Sequence, residues 1–164
     1  MAIIFFFISL MIYNLVQSNK PILSDSYYED FQSLYKLELK YSKRGSYKTS
    51  KIEYDSDNKN IEKIYAWFPS ELQNNNRKYP MIVVVNPSNI KAQNYMVFFD
   101  KLASWGFIVI GNDDPQTGNG KTTSITLDYI INKDGILKGK IDTEKIGIIG
   151  YSQGGAGAIN AITR

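Results

Sequence analysis

A chain of 164 residues, 43% apolar and 21% charged, suits one folded domain with a real core and excludes a disordered polymer. With no cysteine and no histidine, disulfides, zinc–thiolate centres and cysteine nucleophiles are ruled out, so no metal site and no cofactor is expected. The formal charge of +3 is spread over scattered lysines and arginines, a solvated surface with no nucleic-acid footprint.

The chain opens with "MAIIFFFISLMIYNLV", an apolar run followed by "QSNKP". A membrane span needs roughly 20 apolar residues, and this run is closer to the core of a signal peptide, although no basic residue precedes it. Val16 and Ser18 supply small residues before a cut after Ser18. Residues 1–18 are therefore read as a signal peptide or N-terminal membrane anchor. The protein is expected to be exported, secreted or membrane-anchored, with possible membrane contact through this segment.

Residues 24–60 are polar and rich in tyrosine. "SDSYYEDFQSLYKL" predicts a helix opened by a Ser24 or Asp25 cap. "GSYKTSKIEYDSD" alternates as a strand, "NIEKIYAWFPSEL" alternates again over Ile61–Phe68, and "LQNNNRK" has the composition of a surface loop. From Tyr79 the pattern sharpens. "PMIVVVN" reads as a strand buried on both faces, between Pro80 and Pro87. "AQNYMVFFDKLASWG" places Tyr95, Phe98, Phe99, Leu102 and Trp105 at helical spacing, with Gly106 as a stop. "FIVIGN" is a second buried strand, "TTSITLDYIINKDGIL" a helix capped near Thr122 or Thr123, "KIGIIG" a third strand and "QGGAGAINAIT" a third helix. Strand and helix in alternation predict a parallel α/β sheet.

Two motifs compete for the chemistry. Gly150-Tyr151-Ser152-Gln153-Gly154 is a G-x-S-x-G between a strand and a helix. A serine lifted on a sharp turn needs neighbours two positions away that are nearly free of side chain. The backbone N–H of Gln153 then points to where an oxyanion forms. "TGNGKTT", Thr117–Thr123, ends in Gly120-Lys121-Thr122, the tail of a phosphate-binding loop. The full pattern needs glycine five residues before Gly120, and Pro115 stands there with no N–H to offer. A nucleotide-binding protein is thus the weaker alternative, and this stretch is read as an exposed polar loop.

With Ser152 placed, the segment from Lys78 to Arg164 resembles the α/β-hydrolase superfamily. It is most similar to the branch of dienelactone hydrolases, chlorophyllases and cutinase-like polyester hydrolases. The blocks that carry the likeness are "YPMIVVVNPSN", "LASWGFIVIGNDD", "TLDYIIN" and "IDTEKIGIIGYSQGG", in that order. The resemblance implies a three-layer α/β-hydrolase sheet over residues 24–164, truncated after the nucleophile elbow helix. It implies a serine esterase or lipase-like hydrolase with a small-molecule ester substrate, Ser152 as nucleophile and Gln153 as one oxyanion donor. The second donor is Asn89, with Ser88 as the fallback because Ser88 stands where glycine is common. Tyr151 takes a supporting position. The family order of Ser, then Asp or Glu, then His puts the acid and base after Arg164, so the chain is expected to be catalytically incomplete as given. Asp113, Asp114 and Asp142 precede the serine and suit the acid poorly; Asp142 more naturally caps or turns into the last strand. The S-x-x-K pairs Ser33–Lys36 and Ser88–Lys91 are read as chance spacings. A degenerate, non-catalytic binding protein of the same fold is the alternative.

Overall fold

The computed structural model describes residues 20–163 together with residues 8, 9, 11 and 12. The signal peptide or anchor expected over residues 1–18 lies largely outside the described residues. Among the described residues no helix is long and apolar enough to cross a membrane.

β-Branched and aromatic runs separated by Pro, Gly and Asn become five strands: β1 (Thr49–Asp55), β2 (Lys63–Pro69), β3 (Tyr79–Val85), β4 (Ile108–Asn112) and β5 (Ile141–Gly150). They form one sheet in the order β1-β2-β4-β3-β5. β4, β3 and β5 run parallel, as "FIVIGN", "PMIVVVN" and "KIGIIG" predict. β1 and β2, whose direction the alternation leaves open, add antiparallel pairs: β1 pairs antiparallel with β2, and β2 antiparallel with β4. A short link between β1 and β2 closes a hairpin, whereas parallel neighbours need a crossover of a dozen or more residues.

The helices are α1 (Tyr27–Asp30), α2 (Lys36–Ser42), α3 (Met96–Ser104), α4 (Lys121–Asn132) and α5 (Gln153–Ile162). α3 covers one face of the sheet, where Phe99 and Ala103 pack with Tyr65, Trp67, Val84 and Val109. The other face carries Ile64, Phe68, Met81, Val83, Ile108 and Ile110 against Ile130 of α4. α5 lies beside α4, its Ala161 and Ile162 facing Val83, Ile146 and Ile148 across a cavity of about 250 Å³. The result is three layers, helix on sheet on helix.

Several local expectations change. The helix expected over "SDSYYEDFQSLYKL" divides into α1 and α2, neither with a side-chain cap nor a buried residue. "LQNNNRK" begins inside a 3-10 turn, Ser70–Asn74, and its Leu72 is fully buried. On α3 the buried stripe is Val97, Phe99, Ala103 and Ser104, with Phe98 and Leu102 only partly covered. α4 starts at Lys121 behind Gly120 in the left-handed region, φ 74°. Thr122 caps nothing there because its hydroxyl donates to Asp114 Oδ2 at 2.6 Å. Asp142 sits within β5, where Oδ1 accepts the Glu144 N–H at 3.3 Å and Oδ2 pairs with Lys145 at 3.0 Å.

Candidate active site

β5 delivers the chain to Gly150, and α5 begins three residues later at Gln153. Between them Ser152 adopts φ 54°, ψ −124°. A side chain in that region costs of order 1–3 kcal/mol, and it persists only where the surroundings over-determine it. Here they do. A methyl group at Gly150 would overlap the Gly154 carbonyl, and one at Gly154 would overlap the carbonyl oxygens of Val85 and Asn86 at the end of β3. The turn is therefore packed backbone against backbone, on itself and on the neighbouring strand. Two hydrogen bonds close it, Gly154 N–H to Tyr151 O and Gly155 N–H to Ser152 O, both 2.9 Å.

Those bonds leave the Gln153 N–H, the first of the helix, without an acceptor among the described residues. It carries the positive end of the α5 dipole next to an exposed Ser152 side chain. Tyr151 is 74% exposed beside it. The Ser152 hydroxyl meets no base among the described residues, and the composition holds no histidine that could be one.

The loop after β3 brings Asn89 to the same edge. Among the described residues Asn89 is the other non-glycine residue with positive φ, at 60°. Its N–H donates to Pro115 O at 3.0 Å, so to serve an oxyanion it has to exchange that bond; the Ser88 N–H has no acceptor among the described residues. The side chains are linked through a residue that carries no sequence signal. Gln116 Nε2 donates to Asn89 Oδ1 at 3.5 Å, and Gln153 Nε2 donates to Gln116 Oε1 at 3.4 Å. Gln116 thus bridges the two residues expected to form the oxyanion hole. An isolated glutamine in a loop has no spacing rule that would have singled it out.

The "TGNGKTT" stretch is a correction. Thr117, Gly120, Thr122 and Thr123 are buried, and the expected exposed polar loop is a packed support for α5. A methyl group at Gly120 would lie 2.5 Å from Ala161 N, and one at Gly157 would overlap the Thr117 carbonyl. The loop amides turn inward: Gly120 N–H donates to Thr117 O at 2.9 Å, and Lys121 N–H to Asn119 Oδ1 at 2.8 Å. Gln116 N–H likewise donates to Asp114 Oδ1 at 2.7 Å. A phosphate cradle needs such groups pointing outward.

The two adjacent carboxylates have other work. Asp114 accepts from Gln116 N–H and from the Thr122 hydroxyl. Asp113 is buried beneath Tyr65, whose hydroxyl donates to Oδ2 at 2.9 Å. Burial pushes the Asp113 carboxyl above its usual range, with the Tyr65 hydrogen bond opposing the shift. Burial also raises the Tyr65 phenol, and Asp113 reinforces it.

A serine strained at the carboxyl ends of three parallel strands in a mixed five-stranded sheet, with a glycine-lined helix behind it, is consistent with an α/β-hydrolase-like fold. The chain belongs to the PET hydrolase-like family, whose PETase model matches residues 45–164. It is also similar to a bis(hydroxyethyl) terephthalate hydrolase of Streptomyces coelicolor, 31% identical over 85 residues. That match covers 48% of this chain and 27% of the relative, so it spans about a quarter of the relative's length.

Proposed function

We propose that the protein carrying this chain hydrolyses carboxylic esters through an acyl-enzyme on Ser152. The observation that carries the reading is the strained φ of 54° at Ser152 between two glycines with no room for a Cβ. Family membership supports ester or polyester hydrolysis, and the substrate named for the relative suggests a terephthalate-type ester.

In this reading the Ser152 Oγ attacks the ester carbonyl carbon while a general base takes its proton. The Gln153 N–H and a second N–H from the 86–91 loop hold the oxyanion: Asn89 if it leaves Pro115, otherwise Ser88. The alcohol departs with the proton, and water then releases the acid from the serine. Because the 164 residues hold no histidine, we place the acid and base in segments following Arg164, in the order the family resemblance implies. Residues 24–164 are then the leading part of the hydrolase domain, and the apolar run over 1–16 directs export.

The test is release of terephthalate monoester from bis(hydroxyethyl) terephthalate by the gene-length protein, compared with Ser152→Ala. Turnover that survives the substitution refutes the reading. The alternative is a non-catalytic binding protein of the same fold. A gene-length product that contains no acid and base after Ser152 decides for it.

A further inference from the structure

Residues 20–45 form a strap along the outer flank of α3. At one end Ile22 N–H donates to Asn94 O and Asn94 Nδ2 to Lys20 O, both at 2.8 Å. At the other, Gly45 N–H donates to Ser104 Oγ at 2.8 Å and Trp105 Nε1 to Lys43 O at 2.9 Å. Between those ties no residue of the strap is fully buried, with Tyr28, Phe31 and Leu39 partly covered, yet the strap is not polar. Leu34 is 99% exposed, Tyr35 75%, Leu37 71% and Tyr41 54%. A short helix fixed at its base with its apolar residues turned to solvent is displaying them.

Over residues 33–44 the charge is mainly positive, Lys36, Lys40, Lys43 and Arg44 against Glu38, while Asp25, Glu29 and Asp30 lie earlier in the strap. Lys36, Lys40 and Lys43 have no acidic partner among the described residues. Arg44 is paired with Asp100, and Glu38, the sole acid from residue 33 to 44, accepts from the Ser33 hydroxyl. Exposed leucine and tyrosine interleaved with unpaired lysines match a bilayer interface, where rings and methyls enter the headgroup layer and ammonium groups meet phosphates. The apolar run of residues 1–16 precedes the strap in the sequence.

We propose that the Leu34–Arg44 strap is a membrane-docking surface that lies on anionic phospholipid headgroups. It is separate from the Ser152 turn and does not depend on the hydrolase reading.

Trp105 reports on it directly, since its ring lies 5.5 Å from that of Tyr41 at the base of the strap. The chain has two tryptophans, so Trp67→Phe leaves Trp105 alone. The experiment mixes this full-length single-tryptophan protein with phosphatidylcholine vesicles brominated near the headgroup, with or without phosphatidylglycerol. The expected result is quenching of Trp105 that requires phosphatidylglycerol and is lost in high salt. Replacing Lys36, Lys40 and Lys43 together by Gln weakens the quenching titration about 100-fold. Leu34→Ser with Leu37→Ser also weakens it, with the melting temperature unchanged. A chain that sediments with vesicles while Trp105 stays unquenched overturns the proposal, since the N-terminal run alone then holds it. Quenching indifferent to both sets of substitutions overturns it too, as does concentration-dependent dimerisation that the leucine changes abolish.

Discussion

The Gly154 carbonyl oxygen occupies the space a side chain at Gly150 would need, and Gly154 in turn sits directly on the carbonyls of Val85 and Asn86. The pair locks the serine turn to the end of β3. Ser152 keeps its strained backbone because any relaxation would drive one of these contacts into overlap.

Substitution in this run should therefore be sharply position-dependent. Gly154→Ala forces backbone apart at β3 and is expected to cost about 3 kcal/mol, lowering the melting temperature by roughly 10 °C. Gly155→Ala meets nothing nearer than Gly150 O at 3.6 Å. It should be neutral or stabilising by up to about 0.5 kcal/mol, because alanine is the better helix former. Thermal melts of the two variants check the contrast; equal losses would mean that the turn is not packed as described.

Gln116 holds the amide chain from Asn89 to Gln153 at the protein surface. Gln116→Ala should change stability by less than about 0.5 kcal/mol, as exposed polar substitutions do. In the gene-length enzyme it should lower kcat severalfold with little change in KM, because it loosens the oxyanion donors and touches no remote binding contact. A change confined to KM would place Gln116 in substrate binding instead.

Asp113 makes stability depend on pH. Its folded carboxyl is raised by burial, so the folded state holds a proton that the unfolded state has already released. The Asp113 contribution to stability should therefore fall as pH rises from the unfolded value near 3.8 through the raised folded value. This contribution is read as the difference between the parent and Asp113→Asn, because Glu53, Glu62 and Asp142 are held low by lysines and contribute in the opposite direction. Asp113→Asn keeps an acceptor for the Tyr65 hydroxyl and carries no charge to bury. Its denaturant midpoint should lack this fall and exceed that of the parent at neutral pH. A parent-minus-variant difference that rises with pH would show that Tyr65 and Lys91 outweigh burial.

Much of this was legible in the sequence because close backbone packing leaves glycine no substitute. Gly150 and Gly154 announced the turn, and the apolar runs at Met81–Val85 and Ile108–Ile110 announced the central strands. β1 and β2 were visible as strands, but their direction was not, since alternation fixes a face and says nothing of pairing. The role of the Thr117–Thr123 stretch was hidden for a related reason. Thr117 and Thr122 look polar, yet their hydroxyls are spent on Asn86 O and Asp114 Oδ2, contacts set only when the loop meets α5 and β3. The Asn89 N–H was likewise committed by Pro115, 26 positions away, which no local pattern encodes.

The most direct test of the central claim is to map a fluorophosphonate adduct by mass spectrometry on the gene-length protein, with Ser152→Ala and Ser88→Ala in parallel. The account predicts one adduct, on Ser152, that disappears in Ser152→Ala and persists in Ser88→Ala. It also predicts no turnover of p-nitrophenyl esters by residues 19–164 alone, which hold no histidine. An adduct on another residue, labelling that survives Ser152→Ala, or Ser152-dependent turnover by residues 19–164 alone would contradict it.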